Sequence, residues 1–124
     1  MRIDKFEIYQ VAMPLIYPWR TAYGEDPEIH SVLVKATSGN YEAWSESSPL
    51  YAPMYLPESA GSVFYNVSEF LAPFLLNEEF ESPEQINQKL SIFKGNTFAK
   101  AAVEICWWTL QSKITKTPLH KLLG

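Results

Sequence analysis

Few side chains in this sequence could carry a reaction, and none stands in a pattern that would. The two histidines, His30 and His120, lie about 90 residues apart, and neither has a second ligand at the short spacing an imidazole metal site uses. Each reads as a packed or solvated ring. Cys106 is the single cysteine, so it can form neither an internal disulfide nor a thiolate zinc site. Its place beside Trp107 in a helical stretch marks it as a small buried hydrophobe, unreactive because burial disfavours the thiolate. Glu78, Glu79, Glu81 and Glu84 gather near a helix start, where carboxylates favour the positive end of the helix dipole. No glycine-rich phosphate loop, no serine or cysteine nucleophile motif and no carboxylate pair at metal spacing can be found. The expectation is a chain with no catalytic residues and no metal ligands of its own.

Two stretches could instead bind. Tyr17 to Glu28 and Ser47 to Pro57 are long for connections in so short a chain, and both are rich in proline and aromatic residues. One reading makes them surface loops whose tyrosines pack back on the fold. The other makes them binding loops on a rigid scaffold.

The scaffold is legible from periodicity. Ile3 to Leu15 is strand-like, but its apolar phase passes from Phe6 and Ile8 to Val11 and Met13, which predicts a bulge near Tyr9 and Gln10. His30 to Thr37 alternates, and Tyr41 to Glu46 follows across Ser38, Gly39 and Asn40, a hairpin with Gly39-Asn40 as its turn pair. Then the period changes. Ala60, Val63, Phe64, Val67, Phe70, Leu71 and Phe74 recur at three and four, and Pro73 should bend or end that helix. Ser82-Pro83-Glu84-Gln85 reads as a capping box opening a second helix, which Gly95 stops. A third runs from about Asn96 to Ile114, ahead of Thr117-Pro118. Strands followed by helices without alternation predict an α+β fold: a three-stranded antiparallel meander followed by three helices.

The third helix is apolar on most sides. Phe98, Ala102, Ile105 and Thr109 share one side; Val103, Trp107, Leu110 and Ile114 share another, with Trp108 between. A small sheet and two helices should cover one stripe, leaving that of Val103, Trp107, Leu110 and Ile114 for a partner and hence for homo-oligomer formation through this helix. A helix simply central in a compact domain fits the pattern equally well.

Bulk properties narrow the partners. The 124 residues are 47% hydrophobic and 15% aromatic, enough for one core and one domain. A formal net charge of -4 gives no electrostatic reason for a nucleic-acid or anionic-membrane partner. No apolar run approaches the roughly 20 residues of a membrane span, and the charged start from Met1 to Lys5 does not read as a signal peptide. A cytoplasmic location is expected.

From Gly95-Asn96-Thr97-Phe98-Ala99-Lys100-Ala101-Ala102-Val103-Glu104, through Trp108, to Pro118-Leu119-His120-Lys121-Leu122-Leu123-Gly124, the chain resembles the end of the N-terminal domain of enolase-superfamily enzymes. It is most similar to the o-succinylbenzoate synthase and N-acylamino-acid racemase branch of the muconate-lactonizing-enzyme group. The resemblance takes in Met13-Pro14-Leu15, Thr21-Ala22-Tyr23-Gly24, Trp44 and Glu46, and Pro53-Met54-Tyr55, and covers the whole chain. Departures from the family pattern are Ala43 and Ser45 where glycines are usual, Thr109 for an aspartate, and Lys116 for a glycine. The last removes a helix C-cap glycine, a loss of about 1 kcal/mol.

The resemblance implies a capping domain over residues 1–124, closing the mouth of a (β/α) barrel that lies outside this chain. In the family the barrel supplies the catalytic lysines and the carboxylates that hold Mg2+, which stabilises an enediolate formed by removing a proton α to a carboxylate; this chain would bind no cofactor itself. The barrel is the implied partner, seated against the third helix. The resemblance favours the binding reading of the two loops and makes Trp19, Arg20, Tyr23, Leu50 and Tyr55 the candidate substrate-binding residues, with Arg20 meeting a carboxylate such as a succinyl tail or else remaining a solvated loop charge. The implied activity is dehydration by an o-succinylbenzoate synthase or racemisation of an N-acylamino acid, in neither case by this chain alone. The other reading is a non-enzymatic binding or assembly module on the same fold.

Overall fold

A computed structural model describes the whole chain, Met1–Gly124. Its sheet is an antiparallel meander in the order β1 (Lys5–Thr21), β2 (Gly24–Ser38), β3 (Tyr41–Ser47). Gly39, at φ +55°, opens the two-residue turn that pairs Ser38 with Tyr41; this is backbone that glycine enters at little cost. Period-two alternation then sends Val32, Val34 and Ala36 of β2 and Ala43 of β3 into the core, all fully buried. The opposite face is polar and aromatic: Lys35 bridges Glu7 and Glu42, and Tyr9 stacks on Trp44 at 5.8 Å between ring centroids.

Two expectations for β1 are corrected. No bulge lies at Tyr9 and Gln10; pairing with β2 runs unbroken from Lys5 to Pro14, and the register shifts only between Pro14 and Trp19. Pro14 and Pro18 have no N–H to give to the ladder, so the strand loosens where they stand. The change of apolar phase that suggested a bulge has another cause. Phe6 and Ile8 pack against the core, but beyond them the same parity carries the exposed Gln10 and Ala12, because the strand has outrun the helices and no longer has a buried face to obey. The second correction concerns Tyr17 to Glu28, which is a β-arm rather than a loop: Trp19 pairs with Asp26, Arg20 with Glu25 and Thr21 with Gly24. Only Ala22 and Tyr23 turn the chain.

The first helical stretch covers residues 60–75 without interruption. α1 (Ala60–Asn66) passes through a π-helical turn, Val67–Leu71, into α2 (Ala72–Leu75). Pro73 neither ends nor breaks it. A proline cannot donate to the carbonyl four residues back and its ring crowds that carbonyl; widening the preceding turn, with the Ala72 N–H reaching Val67 O, accommodates it. Ser59 and Ser62 cap α1 reciprocally, a capping box with serine in the third position.

α3 (Pro83–Leu90) begins at an extended Ser82 with proline in its first turn. The expected box is incomplete: the Ser82 side chain caps nothing, while Gln85 Oε1 accepts from the Glu81 N–H at 2.8 Å. Of the four glutamates only Glu84 lies in the first turn. Its pKa is lowered, chiefly by the Ser82 hydroxyl donating to it. Glu78 pairs with Lys89 at 2.9 Å, and Glu79 lies in the short bridge that ties the chain start, at Arg2, to the segment after α2.

α4 (Thr97–Thr115) lies across β2 and β3, and α5 (Leu119–Leu123) follows it. Small residues let α4 approach closely: the Ser45 hydroxyl donates to Ala102 O at 2.6 Å, and Cys106 lies over the carbonyls of Val34 and Ala43. The expected uncovered stripe is the buried one. Val103 and Leu110 are 0% exposed and Trp107 2%, with Ile114 packed on the core edge, so that stripe cannot serve as a free surface for self-association. The open side carries Ala101, Ile105, Trp108 and Thr109, with Ile105 at 45%. No helix is long and apolar enough to cross a membrane.

Candidate functional site

A cleft of about 470 Å3 opens between the tip of the β1–β2 arm and the segment 48–58. Strand parity decides most of what faces it, with Ile29 the exception. Trp19 and Thr21 on β1, with Asp26, Glu28 and His30 on β2, turn toward the cleft; Arg20 and Glu25 pair on the other face of the ribbon. The segment 48–58 supplies the opposite wall through Leu50, Tyr51 and Tyr55, and Phe98 from the first turn of α4 also lines the cleft. Tyr23 and Tyr55 meet across it with ring centroids 5.6 Å apart, and His30 and Tyr51 at 4.6 Å.

The segment is held at both ends. Near its start, Ser31 and Ser48 both donate to Glu46 Oε1 at 2.8 Å. Leu50 sits at φ +82°, a conformation that costs a branched residue of order 1–3 kcal/mol, and its carbonyl accepts from the Ala60 N–H at 2.8 Å. At its end Glu58, almost fully buried, accepts from Phe98 N at 2.9 Å, Ala99 N at 3.0 Å and Thr97 Oγ1 at 3.3 Å. That carboxylate replaces the local cap of α4, because Asn96 lies in left-handed backbone and makes no side-chain capping bond.

Four of the five candidate binding residues, Trp19, Tyr23, Leu50 and Tyr55, line the cleft. Arg20 does not. Its side chain is 85% exposed and is engaged by Glu25, so it cannot meet a ligand carboxylate in the cleft as placed. Sequence reading passed over Asp26, Glu28, His30, Tyr51 and Phe98. For the first three the signal was present: the alternation that buries Val32 and Val34, followed backwards, puts His30, Glu28 and Asp26 on the same face.

The charge in the cleft is one-sided. Asp26 and Glu28 stand in its wall and no lysine or arginine does. Glu28 Oε1 bonds His30 Nε2 at 2.9 Å. Burial raises the Cys106 thiol to about 11, and it lies under the sheet rather than at the cleft. No three carboxylate, imidazole or thiol groups stand together as a metal would need, so no residues of this chain fit the Mg2+ that the resemblance implies.

Residues 4–124 match the family model for the mandelate racemase / muconate lactonizing enzyme N-terminal domain. The chain belongs to that family. Among its relatives are the o-succinylbenzoate synthase of Bacillus subtilis strain 168, 29% identical over the whole of this chain and 34% of its own length, and the N-succinylamino acid racemase of Thermus thermophilus, 27% identical over all of this chain and 34% of the relative. A Listeria innocua member of the enolase superfamily superposes with a TM-score of 0.93 at 29% identity, across 100% of this chain and 34% of the other. The muconate lactonizing enzyme of Pseudomonas fluorescens, solved with muconolactone, superposes at 0.92 with 28% identity, across 99% of this chain and 34% of the other. This N-terminal domain therefore spans about a third of the length of the relatives it matches, and the meander followed by helices is their N-terminal fold.

Proposed function

We propose that this chain is the substrate-facing cap of an enzyme of the o-succinylbenzoate synthase and N-succinylamino acid racemase kind, closing a pocket whose reacting groups stand on a (β/α) barrel. The observation that carries this reading is the adjacency of two incomplete surfaces. Phe98 lines the cleft, and at helical spacing the same side of α4 continues through Ala101, Ile105 and Trp108. A barrel seated on that side would cover Ile105 and close the open mouth of the cleft in one contact. Half-exposed aromatic walls such as Trp19, Tyr23 and Tyr55 are what a pocket presents before its other half arrives.

In this role the chain's residues orient and dehydrate the substrate rather than react with it. The charge that develops when the proton α to the substrate carboxylate is removed would be met by groups of the barrel, and this chain supplies none of them. Trp19, Leu50 and Tyr55 would exclude water from the part of the substrate away from that carbon. Dehydration and racemisation both need this service.

The test is a fusion of residues Met1 to Gly124 to the barrel of a related synthase or racemase, assayed on both substrate kinds. Trp19→Ala and Tyr55→Ala should each lower kcat/KM by about tenfold, or ~1.4 kcal/mol of transition-state stabilisation. Activity indifferent to both substitutions would show the cleft to be no part of the pocket and leave an assembly module as the better reading.

A further inference from the structure

We propose, resting on the reading of the cleft as one wall of the substrate pocket, that this wall receives a cationic side chain: the ammonium or guanidinium end of an N-acylated basic amino acid. Its charge and its rings both favour such a group. Aromatic rings of Trp19, Tyr23, Tyr51 and Tyr55 bound the space, and the negative face of such rings attracts a cation within about 6 Å. Two carboxylates stand among them with no lysine or arginine in the lining, and its one imidazole, His30, is held by Glu28. Asp26 is partly buried and has no ion-pair partner within 4.0 Å. Glu28 gives one oxygen to His30 and keeps the other for a ligand. A guanidinium suits this arrangement, since its flat face can lie on a ring while its edge donates to a carboxylate.

The same features reject an anion. The arginine that could have met a succinyl carboxylate, Arg20, is on the far face of the ribbon and engaged by Glu25. A carboxylate brought into the cleft would meet Asp26 and Glu28 in partly dehydrated surroundings, where like charges repel more strongly than in water. An N-succinyl group, if the substrate has one, therefore belongs on the barrel side, with the amino-acid side chain reaching the cap. Between the two activities above, this favours racemisation of a basic amino-acid derivative, because o-succinylbenzoate offers carboxylates and no cation.

Trp19 gives a direct readout in the full chain. Its indole N–H resonance is followed while three probes of similar size are added up to about 50 mM: N-acetyl-L-arginine methylamide, N-acetyl-L-norleucine methylamide and N-acetyl-L-glutamic acid methylamide. About 0.15 M salt suppresses attraction by the overall charge of the protein. The arginine probe should bind at least about fivefold more tightly than norleucine, and the glutamic acid probe should not bind; such a ratio is well resolved from equal affinity. Asp26→Asn combined with Glu28→Gln should abolish the preference. Equal or tighter binding of norleucine, a preference that survives the double substitution, or no shift with any probe overturns the inference. The barrel fusion separates it from the broader reading. A fusion active on N-succinyl-L-norleucine but fivefold poorer on N-succinyl-L-arginine refutes the cation site and leaves the cap intact. A fusion inactive on every substrate, while the chain alone keeps its carboxylate-dependent arginine preference, refutes the cap and leaves the cation site standing.

Discussion

The face of α4 against the sheet and the face of the cleft are built from opposite materials. Under α4, small residues close the gap: Ala43, Ser45 and Cys106 bring helix and strand together, and the Ser45 hydroxyl finds Ala102 O. Around the cleft, large aromatic rings hold a gap open and stay half exposed. The first surface is finished within this chain, whereas the second has side chains committed to a space this chain does not fill. Stability should therefore reside in the first and specificity in the second.

Truncation separates them most sharply. Leu110→Ala, in the fully buried stripe of α4, should cost ~2–5 kcal/mol through lost burial and a residual cavity. Tyr55→Ala removes more atoms from a residue that is 63% exposed, yet should change stability by less than about 0.5 kcal/mol. Urea denaturation of both variants measures the contrast, and similar losses would mean that the cleft is part of the core.

Glu58 joins the two regions, so its removal should have an intermediate effect. Glu58→Ala strands the Phe98 and Ala99 N–H groups, at about 1–3 kcal/mol. Those amides should then exchange with solvent faster than the middle of α4, a result that amide hydrogen exchange reads residue by residue; unchanged protection at both would show the cap to be replaceable by water. The smallest change is a gain. Lys116 ends α4 in left-handed backbone at φ +54°, and Lys116→Gly should stabilise the chain by ~1 kcal/mol, seen as a higher urea midpoint.

What the sequence made legible follows where a single physical rule governed. Alternation over Val32, Val34 and Ala36 placed β2 because one face of it is buried, and the three-four spacing placed the three longer helical stretches, whereas the five residues of α5, too few to show a period, were not expected. β1 misled beyond Ile8 because a strand with no core beneath it carries no phase information. The burial of Val103, Trp107 and Leu110 could not be read from the helix alone, since it depends on how closely Ala43 and Ser45 let the helix approach. In the cleft, the length and the proline and aromatic content of the two stretches pointed to the segments that carry Trp19, Tyr23, Leu50 and Tyr55. Arg20 was misplaced because extended pairing of the arm, and with it the parity of each side chain, was not expected past Pro14. Glu58 was invisible to local pattern: its carboxylate caps a helix some 40 residues later.

That last bond has a practical reading for protein engineering. The segment 48–58 is an inviting unit to transplant between related enzymes when a new substrate is wanted. Its final residue, however, serves the helix and not the cleft. A graft whose boundary falls at Pro57 keeps the capping carboxylate with its helix and exchanges the pocket wall alone. A boundary one residue later would discard that carboxylate whenever the donor lacks it, and a failed design would be blamed on the pocket when the fault lay in an uncapped helix.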